Sequence, residues 1–209
     1  GSRNYLTDST NESFLNYKGR IGIELRGSSS QALDKKPYGF TTLLQDGVSN
    51  NNVSLLGMPS ENDWVLNSLA YDPSMVRDYL SYTLASNMGN YAPRVQYIEV
   101  IVNGDYKGVY FLTEKVKRDS DRVNLKKIAD DDNDFPDITG GYIIKADKTT
   151  GGDEIAWTMP NYGGWDTNFL HHYPKTEDIT SAQANYIETI FYDLADQTNP
   201  ANTSIIDGY

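Results

Sequence analysis

The segment RVQYIEVIVNGDYKGVYFLTEKVK, residues 94–117, constrains the fold more than any other part of the sequence. The dipeptide Asn103-Gly104 lies between two runs rich in β-branched and aromatic residues, which is the strongest short-range signal for a β-hairpin. In the second run, residues 109–112 are continuously apolar, as expected of a strand that is buried on both faces. The chain must therefore contain an antiparallel sheet.

Further strands are predicted on both sides of this hairpin. Residues 20–26 alternate between apolar and polar side chains, which is the pattern of a half-buried strand. Pro37 suits the first residue of a strand, so the chain is predicted to return over residues 38–44. Another strand is predicted at residues 142–146, after a Gly-Gly break. Together with the hairpin, these strands predict a twisted antiparallel sheet.

Two helices are predicted between residues 60 and 89. Ser60, followed by Asp63, resembles a capping box and predicts a short helix that ends near Tyr71. Asp72 is the expected N-cap of a longer helix, which ends at Gly89. One apolar stripe of this helix consists of Val76, Leu80, Leu84 and Met88. Helices and an antiparallel sheet together predict an α+β fold, in which two or three helices pack the sheet.

The C-terminal third is predicted to be a long loop followed by a helix. Residues 150–175 are rich in glycine, asparagine and aromatic residues and show no periodicity. Thr180 and Gln183 then form a capping box, which predicts a helix to about Asp196. Its apolar face consists of Ile187, Ile190, Phe191 and Leu194.

The composition excludes several classes of protein. The chain has 209 residues and a net charge of −11, which argues against broad binding to nucleic acids. No apolar run approaches the roughly 18 residues of a membrane-spanning helix. Because cysteine is absent and His171-His172 are the only histidines, we expect neither disulfides nor a structural zinc site. The chain begins at Gly1-Ser2 rather than methionine, and the earlier removal of a signal peptide is one interpretation of this.

Two other features admit a functional and a structural interpretation. The segment ADDDNDFPD, residues 129–137, has five aspartates. It lacks the spacing of an EF-hand, with its glycine and closing glutamate, so we predict a solvated acidic loop. The aromatic content of 12% suits a carbohydrate-binding surface, but we favour core packing and the anchoring of loops.

The turn between the first two predicted strands raises the question of a phosphate site. Gly27 and three serines follow the first strand, and Lys35-Lys36 precede the second. The order of strand, Ser/Gly turn, lysine, helices and hairpin is that of the small lobe of a protein kinase, where a turn covers the nucleotide phosphates. The spacing alone also fits a polar hairpin tip that happens to lie beside two lysines.

Several long segments resemble one known family, the spore coat protein H (CotH) family of atypical secretory protein kinases. The similarity covers roughly residues 20–196. It is carried by LRGSSSQ with KKPY, by LLGMPSENDWVLNSLAYDPSMVRDYL, by MGNYAPRVQYIEVIVNGDYKGVYFLTEKVKR, by DITGGYIIKADK and by HHYPKTEDITSAQANYI. The resemblance implies an N-terminal arm (1–19), a kinase-like nucleotide-facing lobe (20–149), and a loop and C-terminal linking helix (150–209) that lead to a second lobe.

The resemblance also implies the activity. A CotH-like kinase would bind ATP with a divalent metal, Mg²⁺ or Mn²⁺, and phosphorylate Ser or Thr of exported or surface proteins. It would act outside the cell or at a bacterial cell surface. The alternative is a cell-surface binding or adhesion module on a degenerate kinase-like scaffold, with residues 157–173 as its contact surface. A carbohydrate-binding module is a third interpretation.

The resemblance assigns the loop residues and one lysine to the nucleotide phosphates. The loop residues are Gly27, Ser28, Ser29 and Ser30. Lys36 is the candidate for the phosphate-contacting lysine, with Lys35 as the alternative. Pro37 restricts the backbone beside Lys36 and would help to aim it. The structural alternative is that Lys36 is a strand-edge charge that prevents aggregation.

Three more residues are carried over from the family. Arg77 matches a position on the main helix, and Glu114 and Lys115 would lie near the adenine, at the passage between lobes. The structural alternatives are an exposed ion pair of Arg77, worth at most about 1 kcal/mol, and a Glu114 that caps the end of the hairpin.

The sequence departs from the family in one respect. No residues after Lys175 supply the catalytic Asp and the metal-binding Asp and Asn that family members carry, and Asp193 and Asp196 have the positions of solvated helix charges. Positioning and metal charge supply most of the catalysis in phosphoryl transfer. We therefore expect this chain to be an N-terminal fragment without kinase activity of its own, and we assign no catalytic or metal-binding residue within it.

Overall fold

The computed structural model describes residues 15–149, 152–160 and 166–198 of the chain. The chain divides into two compact units, Gly1–Val116 and Lys117–Tyr209. Most of the predicted N-terminal arm, residues 1–14, lies outside the described residues. Among the described residues, no helix is both long and apolar enough to cross a membrane.

The first unit contains a five-stranded antiparallel sheet and one α-helix in its described part. The strands are β1 (Arg20–Leu25), β2 (Tyr38–Leu43), β3 (Asp63–Asn67), β4 (Val95–Val102) and β5 (Asp105–Glu114), in the spatial order β1-β2-β3-β5-β4. Helix α1 (Arg77–Asn87) connects β3 to β4. The structure confirms the α+β class and the antiparallel sheet.

The predicted hairpin is confirmed. Strands β4 and β5 pair antiparallel from Val95 opposite Thr113 to Val102 opposite Asp105. Asn103 and Gly104 both have positive φ, 52° and 81°, as a type I′ turn requires. The run at residues 109–112 lies within β5, and its last three residues are buried. The side-chain pattern of these residues therefore predicted their burial correctly.

The predicted short helix at residues 60–71 is wrong, because its central part is strand β3. Trp64, Val65 and Leu66 are consecutive and all buried, which a strand covered on both faces achieves and an amphipathic helix cannot. This strand pairs with β2 on one side and β5 on the other. The resemblance of Ser60 and Asp63 to a capping box was thus overridden by pairing with two distant strands. Trp64 and Leu66 join the apolar core of the unit with Leu55, Met58, Val100, Tyr110 and Leu112.

The longer predicted helix exists, but it begins later than predicted. Its first residue is Arg77 and its N-cap is Val76, whereas Asp72 was the expected N-cap. Asp72 stabilises the turn before the helix instead, by accepting hydrogen bonds from the backbone N–H groups of Ser74 and Arg77. None of the residues of α1 is buried, and Leu84 and Met88 of its apolar stripe are 62% and 70% exposed.

The described part of the second unit contains a three-stranded antiparallel sheet and one α-helix. The strands are β6 (Ile143–Ala146), β7 (Trp157–Met159) and β8 (Thr167–Tyr173), in the order β6-β8-β7, and the helix is α2 (Ser181–Gln197). The predicted strand at 142–146 is confirmed. The predicted loop over 150–175 is wrong where β7 and β8 form. These short strands gain stability from pairing, which local periodicity does not record. Residues 150–151 and 161–165 of that segment lie outside the described residues.

The capping box of α2 is confirmed. The Thr180 hydroxyl accepts from the backbone N–H of Gln183, and the Gln183 side chain accepts from the backbone N–H of Thr180, both at 3.3 Å. The Gln183 side chain is buried and also donates to the carbonyl of Ala129 at 2.7 Å. It therefore ties the start of the helix to the acidic segment 129–137. Within the described residues, no cluster of three or more His, Asp or Glu side chains could hold a metal ion.

Candidate functional site

A pocket of about 430 Å³ lies in the first unit. Its lining comes from two stretches that are far apart in the sequence, the connection between β1 and β2 and the segment between β3 and α1. The first stretch contributes Arg26, Gly27, Ser30 and Pro37; the second contributes residues 67–72 together with Arg77 and Asp78. Its volume is in the range of pockets that bind small ligands.

The β1–β2 connection is shaped by Gly27 and a short 3₁₀ turn, Ser29–Ala32. Gly27 has a φ of +86°, and a Cβ there would lie 2.2 Å from the hydroxyl oxygen of Ser30. The left-handed backbone therefore favours glycine, and an added Cβ would force the Ser30 hydroxyl to move. The backbone N–H of Arg26 donates to the carbonyl of Pro37 at 3.2 Å and closes the base of the loop.

The segment between β3 and α1, part of which lines the pocket, has an unusual backbone. Leu69 and Met75 have positive φ values, 58° and 57°, although both carry large side chains. Such a conformation costs energy and persists only where the surroundings hold it in place. The side-chain oxygen of Asn67 accepts from the N–H of Leu69 at 3.0 Å, and Tyr97 donates its hydroxyl to the carbonyl of Met75.

Asp72 organises the turn that leads into α1. Its carboxylate accepts from the N–H of Ser74 at 3.0 Å and of Arg77 at 2.9 Å, and it accepts from the Ser74 hydroxyl as well. It also lies 3.6 Å from Nε of Arg77. The hydrogen bond from the Ser74 side chain and that from the Arg77 backbone lower the pKa of Asp72 to about 2. The carboxylate is therefore ionised at neutral pH and holds Arg77 at the rim of the pocket.

A second carboxylate links the strand to the helix. Nδ2 of Asn67, the last residue of β3, donates to Asp78 Oδ2 in the first turn of α1 at 3.1 Å. Tyr82, one turn further along α1, has a raised pKa, mainly because of burial and next because of Asp78, while Arg26 opposes the shift. Asp78 therefore joins the end of β3 to the first turn of α1.

Three of the predicted site residues line this pocket: Gly27, Ser30 and Arg77. Ser28 and Ser29 belong to the same loop but are not among the lining residues. Nζ of Lys36 donates to the carbonyl of Gln31 at 2.7 Å, and Lys36 is not a lining residue either. The structure thus brings the loop and Arg77 together, while the contact of Lys36 with phosphates stays a prediction.

The alternative lysine, Lys35, contacts the sheet. Its ammonium group donates to the carbonyl of Val109 and lies 4.8 Å from the centre of the Tyr110 ring. Burial lowers the pKa of Lys35. The Tyr110 hydroxyl in turn donates to the carbonyl of Lys36 at 2.9 Å. Lys35 therefore fastens the end of the loop to β5.

Glu114 and Lys115 do not line the pocket. The Glu114 side chain is fully buried and accepts from Nη1 of Arg94 at 3.0 Å, and it also accepts from the Arg94 backbone N–H at 2.9 Å. Lys115 pairs with Asp63 at 2.7 Å. Both contacts join strand ends within the sheet, and a role of these residues at the adenine stays a prediction.

Most lining residues were not predicted as site residues, and among them are the charged and amide side chains of Arg26, Asn67, Asp72 and Asp78. Asp72 was predicted only as a helix cap. A signal was available for Arg26, because it directly precedes the loop glycine and carries a charge that suits phosphate. For Asn67 no signal was available, because its position at a strand end depended on a strand that was predicted as a helix.

The model of one protein family, described as CotH kinase protein, matches residues 23–209. The chain belongs to the CotH kinase family. The match begins within β1 and extends through both units, which confirms the resemblance seen in the sequence and supports a kinase-like function in general terms. The CotH kinase family also implies ATP and a divalent metal in general terms. No curated protein matches the chain.

Proposed function

We propose that this chain is the nucleotide-binding portion of an ATP-dependent protein kinase of the CotH family and that the pocket of its first unit holds the phosphates of ATP. The observation that carries the proposal is that Gly27 and Ser30 of the β1–β2 loop and Arg77 of α1 line the same pocket. In protein kinases a glycine-containing loop covers the phosphates, and a lysine that pairs with a glutamate of the following helix contacts them. Family membership and the pocket geometry support the same assignment.

The residues present suit a polyphosphate. Gly27 lines the pocket without a side chain, so its backbone can approach a ligand closely. Two arginines, Arg26 and Arg77, line the pocket, and a guanidinium group matches the geometry of phosphate oxygens. Phosphoryl transfer depends mainly on positioning and on charge stabilisation, and such a lining supplies both for the bound phosphates.

The residues present do not suit a metal site. The two carboxylates of the pocket, Asp72 and Asp78, already accept hydrogen bonds from Ser74, Arg77 and Asn67. No metal-holding cluster exists among the described residues. We therefore assign neither a metal ligand nor a catalytic base within the described part of the chain. We further propose, from the family resemblance, that the acceptor is a Ser or Thr hydroxyl of an exported or surface protein and that the enzyme acts outside the cell or at its surface.

The proposal is tested with the protein expressed from its complete natural reading frame. Binding of ATP is measured by titration calorimetry with Mg²⁺ and with Mn²⁺, and phosphoryl transfer is followed with γ-labelled ATP on a panel of secreted proteins. We expect ATP binding and Ser/Thr labelling. A protein that binds no nucleotide under either metal would contradict the proposal.

A further inference from the structure

The third strand of the sheet carries no lysine. In protein kinases a lysine of the third strand binds the phosphates and pairs with a glutamate of the following helix. Here β3 reads DWVLN, and the contact between strand and helix is the 3.1 Å hydrogen bond from Asn67 to Asp78. No lysine is among the described residues that line the pocket. Among the residues that line the pocket, the positive charge is therefore carried by arginine, at Arg26 and Arg77.

Arg26 is available for this task. It directly follows β1, and its backbone N–H is held by the carbonyl of Pro37 at 3.2 Å, so the start of its side chain is fixed at the pocket. The side chain is exposed, and it forms no ion pair with any residue in the described ranges. A cation that lines a pocket and has no described counterion is suited to bind an anionic ligand.

Arg77 provides a second arginine, from the stretch of the lining that leads into α1. Its Nε lies 3.6 Å from the carboxylate of Asp72, and the side chain is 75% exposed. The charged residues of the lining are two arginines and two aspartates, Arg26, Arg77, Asp72 and Asp78. Removal of either arginine would therefore leave a lining with net negative charge, which repels phosphate.

We propose that Arg26 and Arg77 together bind the polyphosphate of the nucleotide and so replace the strand lysine of other protein kinases. The inference rests on the proposed function, because it names the groups that hold the same ligand. A guanidinium stays charged at all relevant pH values and can bind two phosphate oxygens at once, whereas an ammonium group acts as a point charge.

The test compares Arg26→Gln and Arg77→Gln with Arg20→Gln in the protein expressed from its complete reading frame. Arg20 begins β1, is also exposed and does not line the pocket, so its substitution matches the change in charge. Dissociation constants are measured for ATP, adenosine and inorganic tripolyphosphate, and urea unfolding verifies that each variant is folded. Arg26→Lys tests whether charge alone is sufficient.

We expect Arg26→Gln and Arg77→Gln each to weaken the binding of ATP and tripolyphosphate by roughly ten- to a hundredfold, as for the loss of a charged hydrogen bond. Adenosine binding and the Arg20→Gln variant should be unchanged, and Arg26→Lys should recover part of the loss. If the parent binds ATP and both Gln variants bind it as tightly as Arg20→Gln does, the inference is wrong and the proposed function stands. A parent that binds no ATP overturns both.

Discussion

The buried carboxylate of Glu114 at the end of β5 is held by Arg94, which lies just before β4, with 3.0 Å between Oε1 and Nη1. The Glu114 side chain is fully buried, whereas the Arg94 side chain is 47% exposed. The two residues are 20 positions apart in the sequence and join the open ends of the two hairpin strands. This contact gives Glu114 a structural role whether or not it also contacts a nucleotide.

Substitution of the two partners should have unequal effects on stability. Arg94→Ala leaves a charged carboxylate buried, and we expect a loss of about 3 kcal/mol in the free energy of unfolding. Glu114→Gln removes the charge but keeps the shape, and we expect a smaller loss of about 1 kcal/mol. Urea unfolding measures both. A nucleotide affinity that falls in Glu114→Gln but not in Arg94→Ala would instead favour the predicted role at the adenine.

At Gly27, the destabilising effects of backbone strain and of steric collision can be measured separately. Gly27→Ala imposes both, because φ is +86° and the new Cβ would lie 2.2 Å from the Ser30 hydroxyl. Gly57→Ala imposes strain alone, since its φ is +79° and no atom lies within 4 Å of the added Cβ. We expect Gly57→Ala to cost about 1 kcal/mol in the free energy of unfolding and Gly27→Ala to cost more.

The collision between residue 27 and the Ser30 hydroxyl can be removed while alanine is kept at position 27. In the double variant Gly27→Ala, Ser30→Ala, the hydroxyl is absent and the nearest described side-chain atom of residue 30 is the Cβ at 3.6 Å. We expect the double variant to be as stable as Gly57→Ala and to recover ATP affinity relative to Gly27→Ala. Double and single variants of equal stability would show that Ser30 is not the obstacle.

Lys36 is the predicted residue whose role the geometry leaves most open. Its ammonium group donates to the carbonyl of Gln31 at 2.7 Å, so it supports the loop from within. We expect Lys36→Ala to weaken ATP binding less than Arg26→Gln does, because only Arg26 lines the pocket. The two variants are compared by calorimetry at one salt concentration. An Lys36→Ala variant with the larger loss would restore Lys36 as the main phosphate contact.

Asp72 should make the free energy of unfolding depend on pH in the acidic range. The hydrogen bonds from Ser74 and from the Arg77 backbone lower its pKa from 3.8 to about 2, so the folded state prefers the ionised form. This contribution is present above about pH 4 and is lost as the pH falls toward 2. We expect Asp72→Asn to be less stable than the parent at pH 7 and to approach it near pH 2. The measurement is urea unfolding at pH 7, 4 and 2, and a constant difference across that range would contradict the assignment.

His171 should make the second unit sensitive to mild acid. Neither ring nitrogen has a hydrogen-bond partner among the described residues, and the ring lies 6.0 Å from that of Trp157. Burial lowers the pKa of His171 below 6.5, while Glu188 on α2 partly opposes this shift. The unfolded state therefore binds the proton more readily, and stability falls as the pH drops through 6.5.

The variant His171→Phe should remove this dependence, because phenylalanine keeps the aromatic contact and cannot be protonated. His172→Phe is the matched control, since neighbouring side chains on a strand point to opposite faces. Thermal unfolding between pH 7.5 and 5 is followed by tryptophan fluorescence. Retention of the same pH dependence in His171→Phe would exclude His171 as its source.

Features that depend on a few neighbouring residues were predictable from the sequence. The turn at Asn103-Gly104 requires positive φ at two adjacent residues, and few residue pairs adopt this conformation as readily as Asn-Gly does. The capping box of Thr180 and Gln183 is a contact between residues three apart. The loop glycine, Gly27, and its serines could likewise be singled out, because a left-handed backbone next to a strand favours glycine. These features are local, so a short stretch of sequence specifies them whatever the tertiary structure around it.

Tertiary structure decided the features that depend on distant partners. Strand β3 exists because β2 and β5 pair with its two edges, and its local sequence alone resembled a helix start. The pocket joins residues 26–37 to residues 67–78, and Glu114 meets Arg94 across the end of a hairpin. The sequence by itself therefore determined the hairpin, the helix cap and the glycine of the loop, because each arises from backbone preferences within a few residues. The pairing of the strands decided which arginines line the pocket. The energy of that pairing comes from contacts between distant segments, so no single segment of the sequence predicts it.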